Sequence, residues 1–204
     1  MPDQTMQNYI EKVCRGQKSY LNELFVYQSD FSNKPALIEV IKPHTLFLEK
    51  VKGIPYLDFE CLSDTMLIKL AQTISRFHNI IHLGDRVLCH WDNQPRNILW
   101  NEQKQKFYIV DFEDIRLARP EADLAHLFLF WAEVMSYKDF SRSVTILIKD
   151  YQKTRRLSAE LWKTESRKAR HRFDARRRRH NKLEKTNNPD RRKNRKLLIN
   201  LQML

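Results

Sequence analysis

Glycine is scarce in this 204-residue sequence, with only Gly16, Gly53 and Gly84, far apart from one another. That excludes a P-loop and a dinucleotide-binding GxGxxG, which both need clustered glycines to bring backbone N–H groups against phosphate. Cysteine is scarce too. Cys14, Cys61 and Cys89 are an odd number without CxxC spacing, which argues against a disulfide framework and a cysteine-based zinc site and suits a reducing, cytoplasmic setting. No apolar run of about 18 residues occurs, so no membrane span is expected, and the N-terminus MPDQTMQNYIEKV has no apolar signal segment. His78, His82 and His126 have no Cys or His partner at metal-ligand spacing.

What is present is enough to fold. Hydrophobic residues make up 42% of the chain and aromatics 11%, sufficient to bury a real core and to exclude wholesale disorder. The charge is uneven. Residues 151–204 hold 19 Lys+Arg and 5 Asp+Glu, a net of +14, while residues 1–150 carry a net of −2. Within the basic segment, Arg176–Arg179 and Arg191–Lys193 repel themselves, and Thr186–Asp190 breaks any helix between them. Two readings follow: a solvated, partly helical or disordered tail over 156–204, or a segment that binds RNA, DNA or another polyanion by releasing counterions. Only Phe173 is aromatic after Trp162, so stacking on single-stranded bases has little support.

Along the body, Asn8–Arg15 reads as a strand and Lys18–Gln28 as a helix with Tyr20, Leu21, Leu24, Phe25 and Tyr27 at helical spacing. Ala36–Val40 and Thr45–Val51 read as an antiparallel pair across Lys42-Pro43-His44. Val51–Pro55 reads as a turn and a boundary between subdomains. Ser63-Asp64 caps a helix over Thr65–His78, whose Leu67, Leu70, Ile74 and Phe77 form one stripe. Short apolar segments at Arg86–Cys89 and Phe107–Val110 follow, then helices over Ala122–Met135 and Ser143–Tyr151. Leu124, Leu127, Phe128, Trp131 and Met135 are expected in the core. A strand-rich part followed by a helix-rich part is α+β.

Two loops place carboxylates just after short apolar strands. The first holds His90-Trp91-Asp92-Asn93-Gln94-Pro95-Arg96-Asn97, the second Asp111-Phe112-Glu113-Asp114. Asn97 follows Asp92 by 5 residues and Asp111 follows Asn97 by 14. This pattern suits phosphoryl transfer: Asp92 orients or deprotonates an attacking hydroxyl, while Asn97 and Asp111 offer oxygen ligands to Mg²⁺ bridging nucleotide phosphates. His90 is expected to bond the loop backbone. Glu113 and Asp114 either support the metal or form an exposed turn. Asp123 is expected to favour the free N–H groups at its helix start.

HWDNQPRNIL followed by IVDFED resembles the HGDxxxxNIL and IDFED loops of aminoglycoside phosphotransferases and choline kinases, small-molecule kinases with a protein-kinase-like fold. FLEKVKG at 47–53 resembles the hinge segment that ends the N-lobe, ISRFH at 74–78 the helix end before the catalytic loop, and PEADLA at 120–125 the family's P-x-x-D-L-A helix start. The resemblance covers roughly residues 8–151. It implies a partial, strand-rich N-lobe over 1–52 and a mainly helical C-lobe over 53–155 that carries the catalytic and metal-binding loops. It implies an ATP- and Mg²⁺-dependent phosphotransferase acting on a hydroxyl of a small molecule, with Asp92 catalytic and Asn97 and Asp111 as metal ligands. Lys12 then resembles the strand lysine that pairs with nucleotide phosphates and Glu23 the helix glutamate that holds it. Backbone groups around Glu49–Val51 would receive adenine.

The sequence also departs from the family. Trp91 stands where glycine is usual, a ring that is expected to crowd the site or demand a different backbone angle. The chain starts near the Lys12 strand, without the family's first two strands and phosphate-covering loop, and the acceptor-binding helical region gives way to the basic segment. The alternative reading is therefore a degenerate kinase-like binding module whose basic tail takes nucleic acid or another polyanion.

Overall fold

The computed structural model describes residues 8–41, 43–179 and 188–201. The chain opens with a small antiparallel sheet and one helix. Strand β1 (Tyr9–Val13) leads into α1 (Gln17–Gln28), then β2 (Leu37–Ile41) and β3 (Thr45–Glu49), with β3 central in the order β1-β3-β2. Lys12 lies opposite Leu46, and Ile10 opposite Leu48. Leu46 and Leu48 are buried beneath α1 with Cys14, Tyr20, Val26 and Tyr27. Alternation along the strands thus carries Lys12 to the face that also holds the core.

Strand β4 (Ile54–Pro55), expected as turn, instead pairs with a later strand. Gly53 explains how the chain comes so close there: a Cβ at this position would lie 2.8 Å from the Leu99 Cβ. Helix α2 (Asp64–His78) starts where expected, because the Ser63 side chain accepts from the Met66 N–H at 3.2 Å. Its Leu67, Leu70, Ile74 and Phe77 are all buried. The hairpin β5 (His82–Leu83) and β6 (Arg86–Cys89) turns at Gly84, whose φ of 59° suits glycine. The 3-10 turn Pro95–Asn97 leads into β7 (Ile98–Asn101), followed by β8 (Lys106–Ile109) and β9 (Arg116–Ala118). Two more small sheets result, β4-β7-β8 and β5-β6-β9.

The rest is helical. Helix α3 (Pro120–Val134) begins two residues before the expected Ala122, with Pro120 in its first turn. Helix α4 (Tyr137–Tyr151) begins six residues before Ser143, because Ser136 accepts from the Asp139 N–H. Exposed polar residues in that first turn had hidden the apolar period. Leu124, Leu127, Phe128 and Trp131 are buried as expected, and Met135 packs against them.

The basic segment is folded against the body. Helix α5 (Ala159–Arg179) buries Trp162, Ser166, Ala169 and Phe173, a stripe at spacings of 4, 3 and 4 residues. Helix α6 (Arg191–Ile199) buries Asn194 and Leu198. Trp162, Ala169, Phe173 and Leu198 join the core of α2, α3 and α4, and the Trp162 Nε1–H donates to the Leu198 carbonyl at 2.7 Å. Asn188–Asp190, part of the expected helix break, is a turn region before α6; residues 180–187 lie outside the described residues. The fold is α+β, with small antiparallel sheets followed by a helical body.

Candidate active site

The loop after β6 is held by a buried carboxylate from α3. Asp123 accepts from the backbone N–H groups of His90 (3.0 Å) and Trp91 (2.9 Å), from the Asn93 amide (2.8 Å), and lies 3.1 Å from His78 Nε2. Burial alone would push its carboxyl up, but these bonds, His78 foremost, outweigh it and hold the pKa at about 2. The sequence assigned Asp123 only to the start of its own helix. In the fold it anchors the loop after β6, a connection that local reading could not show.

His78 also contacts the Tyr151 hydroxyl through Nδ1 at 2.7 Å. His78, Cys89 and Asp123 bring ligand-type atoms within 4.8 Å of one another, although sequence spacing gave His78 no such partners. Cys89 Sγ already donates to the Arg119 carbonyl at 3.6 Å. With its atoms engaged, the cluster is a hydrogen-bonded support for the loop. Among the described residues all three cysteines are free thiols.

Trp91 resolves the departure at the glycine position. Its φ is 68°, so it keeps the left-handed backbone that glycine would take freely. That angle costs a non-glycine residue about 1–2 kcal/mol. The bond to Asp123 holds the backbone, and two guanidiniums lie over the indole, Arg116 at 4.5 Å and Arg172 at 4.6 Å. The ring leaves the cavity around Asp92 unobstructed: it is absent from that cavity's lining.

Asp92 is buried beside Asn97, whose side-chain N–H donates to the Asp92 carbonyl at 2.9 Å and approaches its Oδ2 at 3.3 Å. Gln94 donates to the same Oδ2 at 2.7 Å. The second loop is tied to the first through His90, whose Nε2 lies 3.0 Å from the Val110 carbonyl, as the sequence reading expected. Phe112 stacks on Phe77 at 5.7 Å and meets Tyr27 edge-on at 5.4 Å. These rings join α1, α2 and the second loop into one packed unit.

Lys12 reaches this unit from β1. Its ammonium donates to Glu23 at 2.5 Å and to Asp111 at 2.7 Å, with Glu113 at 3.9 Å. Only 11 residues separate Lys12 from Glu23, yet the strand end, a turn and about two turns of α1 suffice. Burial works against the Lys12 charge, but Glu23 and Asp111 outweigh it and raise its pKa. For Glu23, burial dominates over Lys12 and, with Asp111 and Glu113 nearby, pushes the carboxyl up to about 7. Burial also opposes ionisation of Asp111, whose pKa is nevertheless lowered by Lys12. Glu113 is buried and bonded to Arg15, so this part of the second loop is no exposed turn. Asp111 itself has a φ of 67°.

Lys12, Asp92, Asp111 and Glu113 line one cavity of about 690 Å³. Glu49 and Val51 lie at and just after the end of β3, outside its lining. The Glu49 N–H bonds the Ala36 carbonyl (2.9 Å), and the Glu49 side chain lies 3.4 Å from Lys104. The far wall comes from residues that sequence reading left out of the site: His126 and Phe130 of α3, and Phe173, Arg176 and Arg177 of α5. Arg176 donates to Asp92 Oδ1 at 3.1 Å and lies 3.8 Å from Asp114. The buried stripe of α5 was the available signal for its docking; nothing local indicated where its arginines would point.

The structure is similar to several kinases. An aminoglycoside phosphotransferase from Streptomyces rimosus, solved with ADP and streptomycin, matches at 16% identity, over 71% of this chain and 80% of that one, with a TM-score of 0.56. A choline kinase from Streptococcus pneumoniae matches at 16% identity, over 78% and 73%, with a TM-score of 0.55. A choline/ethanolamine kinase family protein from Mesorhizobium loti matches at 12% identity, over 94% and 80%, with a TM-score of 0.57. At such identities the likeness shows the kinase-like fold. No curated protein matches the sequence. The sequence profile of the phosphotransferase enzyme family matches residues 42–157, more than half of the chain and including both loops. This chain belongs to the phosphotransferase enzyme family.

Proposed function

We propose that this protein transfers the γ-phosphate of ATP to a hydroxyl of a small molecule. The observation that carries the reading is the convergence on one cavity of Lys12, held by Glu23 and Asp111, with Asp92 of a separate loop. Asp92 orients the hydroxyl and receives its proton. Lys12 steadies the nucleotide phosphates; the Glu49 and Lys50 N–H groups are bonded to Ala36 and Asn8, so adenine would be received by the remaining backbone groups of Glu49–Val51. Positioning and electrostatics supply most of the acceleration.

A divalent ion fits the residues present. Glu23, Asp111 and Glu113 bring carboxylate oxygens within 4.8 Å of one another. Asn97 commits its amide nitrogen to Asp92, leaving its amide oxygen as a further hard donor. Such a set suits Mg²⁺, with Asn97 and Asp111 as the residues that would hold it. When bound, the ion would neutralise charge on the transferring phosphate.

The binding-module reading is less well supported, because several of the tail's arginines are engaged within the molecule. Arg176 meets Asp92, and Arg177, Arg191 and Arg195 meet Glu133. Isothermal titration with Mg-ATP tests the phosphotransferase reading. Binding is expected, and Asp92→Asn should abolish turnover with little change in nucleotide affinity. Absence of binding at about 1 mM nucleotide would overturn it.

A further inference from the structure

We infer that the acceptor is an anionic hydroxyl compound, a small molecule carrying a phosphate or carboxylate close to the hydroxyl that is phosphorylated. The inference rests on the phosphotransferase reading and names the substrate class of the same site.

The argument begins with the charges around the cavity. Three carboxylates line it, Asp92, Asp111 and Glu113. Each already has a cation: Arg176 on Asp92, Lys12 on Asp111 and Arg15 on Glu113. A cationic acceptor would therefore find no unmatched carboxylate in this lining and would have to displace an existing ion pair. Arg96 lines the same cavity from the 3-10 turn, is exposed, and has no ion pair among the described residues. The balance of the lining is positive.

The geometry then fixes where an anion would sit. A guanidinium has five N–H donors in a planar fork. Arg176 shows one close bond, to Asp92, and a longer approach of 3.8 Å to Asp114, while its side chain remains 48% exposed. Donors are left over for a ligand. Arg96 lines the cavity from the 3-10 turn and Arg176 from α5, where it meets Asp92, so guanidiniums on two different elements face the cavity that holds Asp92. Arg–phosphate and Arg–carboxylate pairs are among the strong, directional hydrogen bonds available to a protein. An anion held there would place a neighbouring hydroxyl next to the Asp92 carboxylate.

The rest of the wall suits the body of such a molecule. Phe130 and Phe173 meet edge-on at 5.0 Å and present apolar surface. His126 lines the cavity as well. In the transfer, the acceptor hydroxyl oxygen bonds to the γ-phosphorus, and the bond from that phosphorus to the β–γ bridging oxygen breaks. ADP leaves with the electron pair, and the hydroxyl proton passes to Asp92. The acceptor's anion takes no part in bond making; Arg96 and Arg176 hold it.

The test uses the full chain saturated with Mg²⁺ and a non-hydrolysable ATP analogue, titrated with inorganic phosphate and, separately, with choline. Phosphate should bind. Arg176→Ala and Arg96→Ala should each weaken it at least fivefold while leaving affinity for the ATP analogue unchanged, and Arg176→Lys should recover part of the loss. Both side chains are outside the core, and Arg96→Ala gives a second reading if Arg176→Ala disturbs α5. Choline binding more tightly than phosphate, or tightening when Arg176 is removed, would overturn the inference, because Arg176 would then be masking a cation site. Phosphate affinity indifferent to both substitutions would overturn it equally. If the ATP analogue fails to bind but phosphate still binds through Arg176 and Arg96, the phosphotransferase reading falls and the anion site stands.

Discussion

The first 150 residues carry a net charge of −2 and the remainder +14, and the two parts use their charges differently. The body pairs its charges within itself, with Lys12 among Glu23, Asp111 and Glu113, and Arg15 on Glu113. The basic segment reaches across the fold. Glu133 of α3, only 3% exposed, is met by Arg177 at 3.6 Å, Arg191 at 2.8 Å and Arg195 at 2.7 Å. Arg195 also pairs with Asp174 at 2.8 Å. A buried carboxylate without such partners would be costly, so part of the positive surplus is structural. Another part lies at the cavity beside Asp92.

The largest effect is expected where the two parts share a core. Trp162→Ala removes a fully buried indole that packs near Phe128 at 6.0 Å and bonds to Leu198. It should lower stability by about 3–5 kcal/mol, read as a shift in the urea midpoint of the whole chain. An unchanged midpoint would mean that the basic segment is an appendage.

A second experiment uses pH. His126 of the body lies 6.0 Å from the Phe173 ring of the tail. Burial, with help from Arg176 and Arg172 and against Asp123 and Asp92, pushes its pKa down from 6.5 to about 4. Between those values the unfolded chain takes up a proton and the folded chain does not. Acidification through this window therefore costs stability, at most about 3 kcal/mol from this group. Glu23 works oppositely: its pKa rises from 4.5 to about 7, so the folded state gains stability as pH falls from 7 towards 4.5. In the wild type the two offset each other. His126→Gln should unmask the Glu23 contribution, giving a chain whose melting temperature rises on mild acidification. A melting curve that still falls in this range would assign the wrong group.

The smallest effect belongs to a surface pair within the body. Lys104 and Glu49 lie 3.4 Å apart with side chains 53% and 36% exposed. Lys104→Ala should change stability by no more than about 0.5 kcal/mol. A larger loss in the urea midpoint would blur the contrast between exposed pairs of the body and the buried pairs that receive the tail.

Much of the site was legible because its parts are local. Asp92 and Asn97 share one turn, Asp111 begins the next loop, and Lys12 and Glu23 lie on adjacent elements. Alternating and helical periods placed β1, α1, β2, β3 and α2 to within a few residues. Very short strands such as β4, β5 and β9 were missed, since two or three residues carry no period. Trp91 pointed to trouble at the loop but not to its resolution, because the relevant arginines belong to distant segments.

The sequence by itself determined the α+β class, the two carboxylate loops and the helix that supports them, since each is written in short-range spacing and apolar period. Tertiary structure decided what faces those loops. Asp92 and Arg176 are 84 residues apart, and α5 meets the cavity only because Trp162, Ala169 and Phe173 bury themselves against the helical core. Hydrophobic burial fixes the helix, and the arginines on its other faces are carried to positions that no local pattern records.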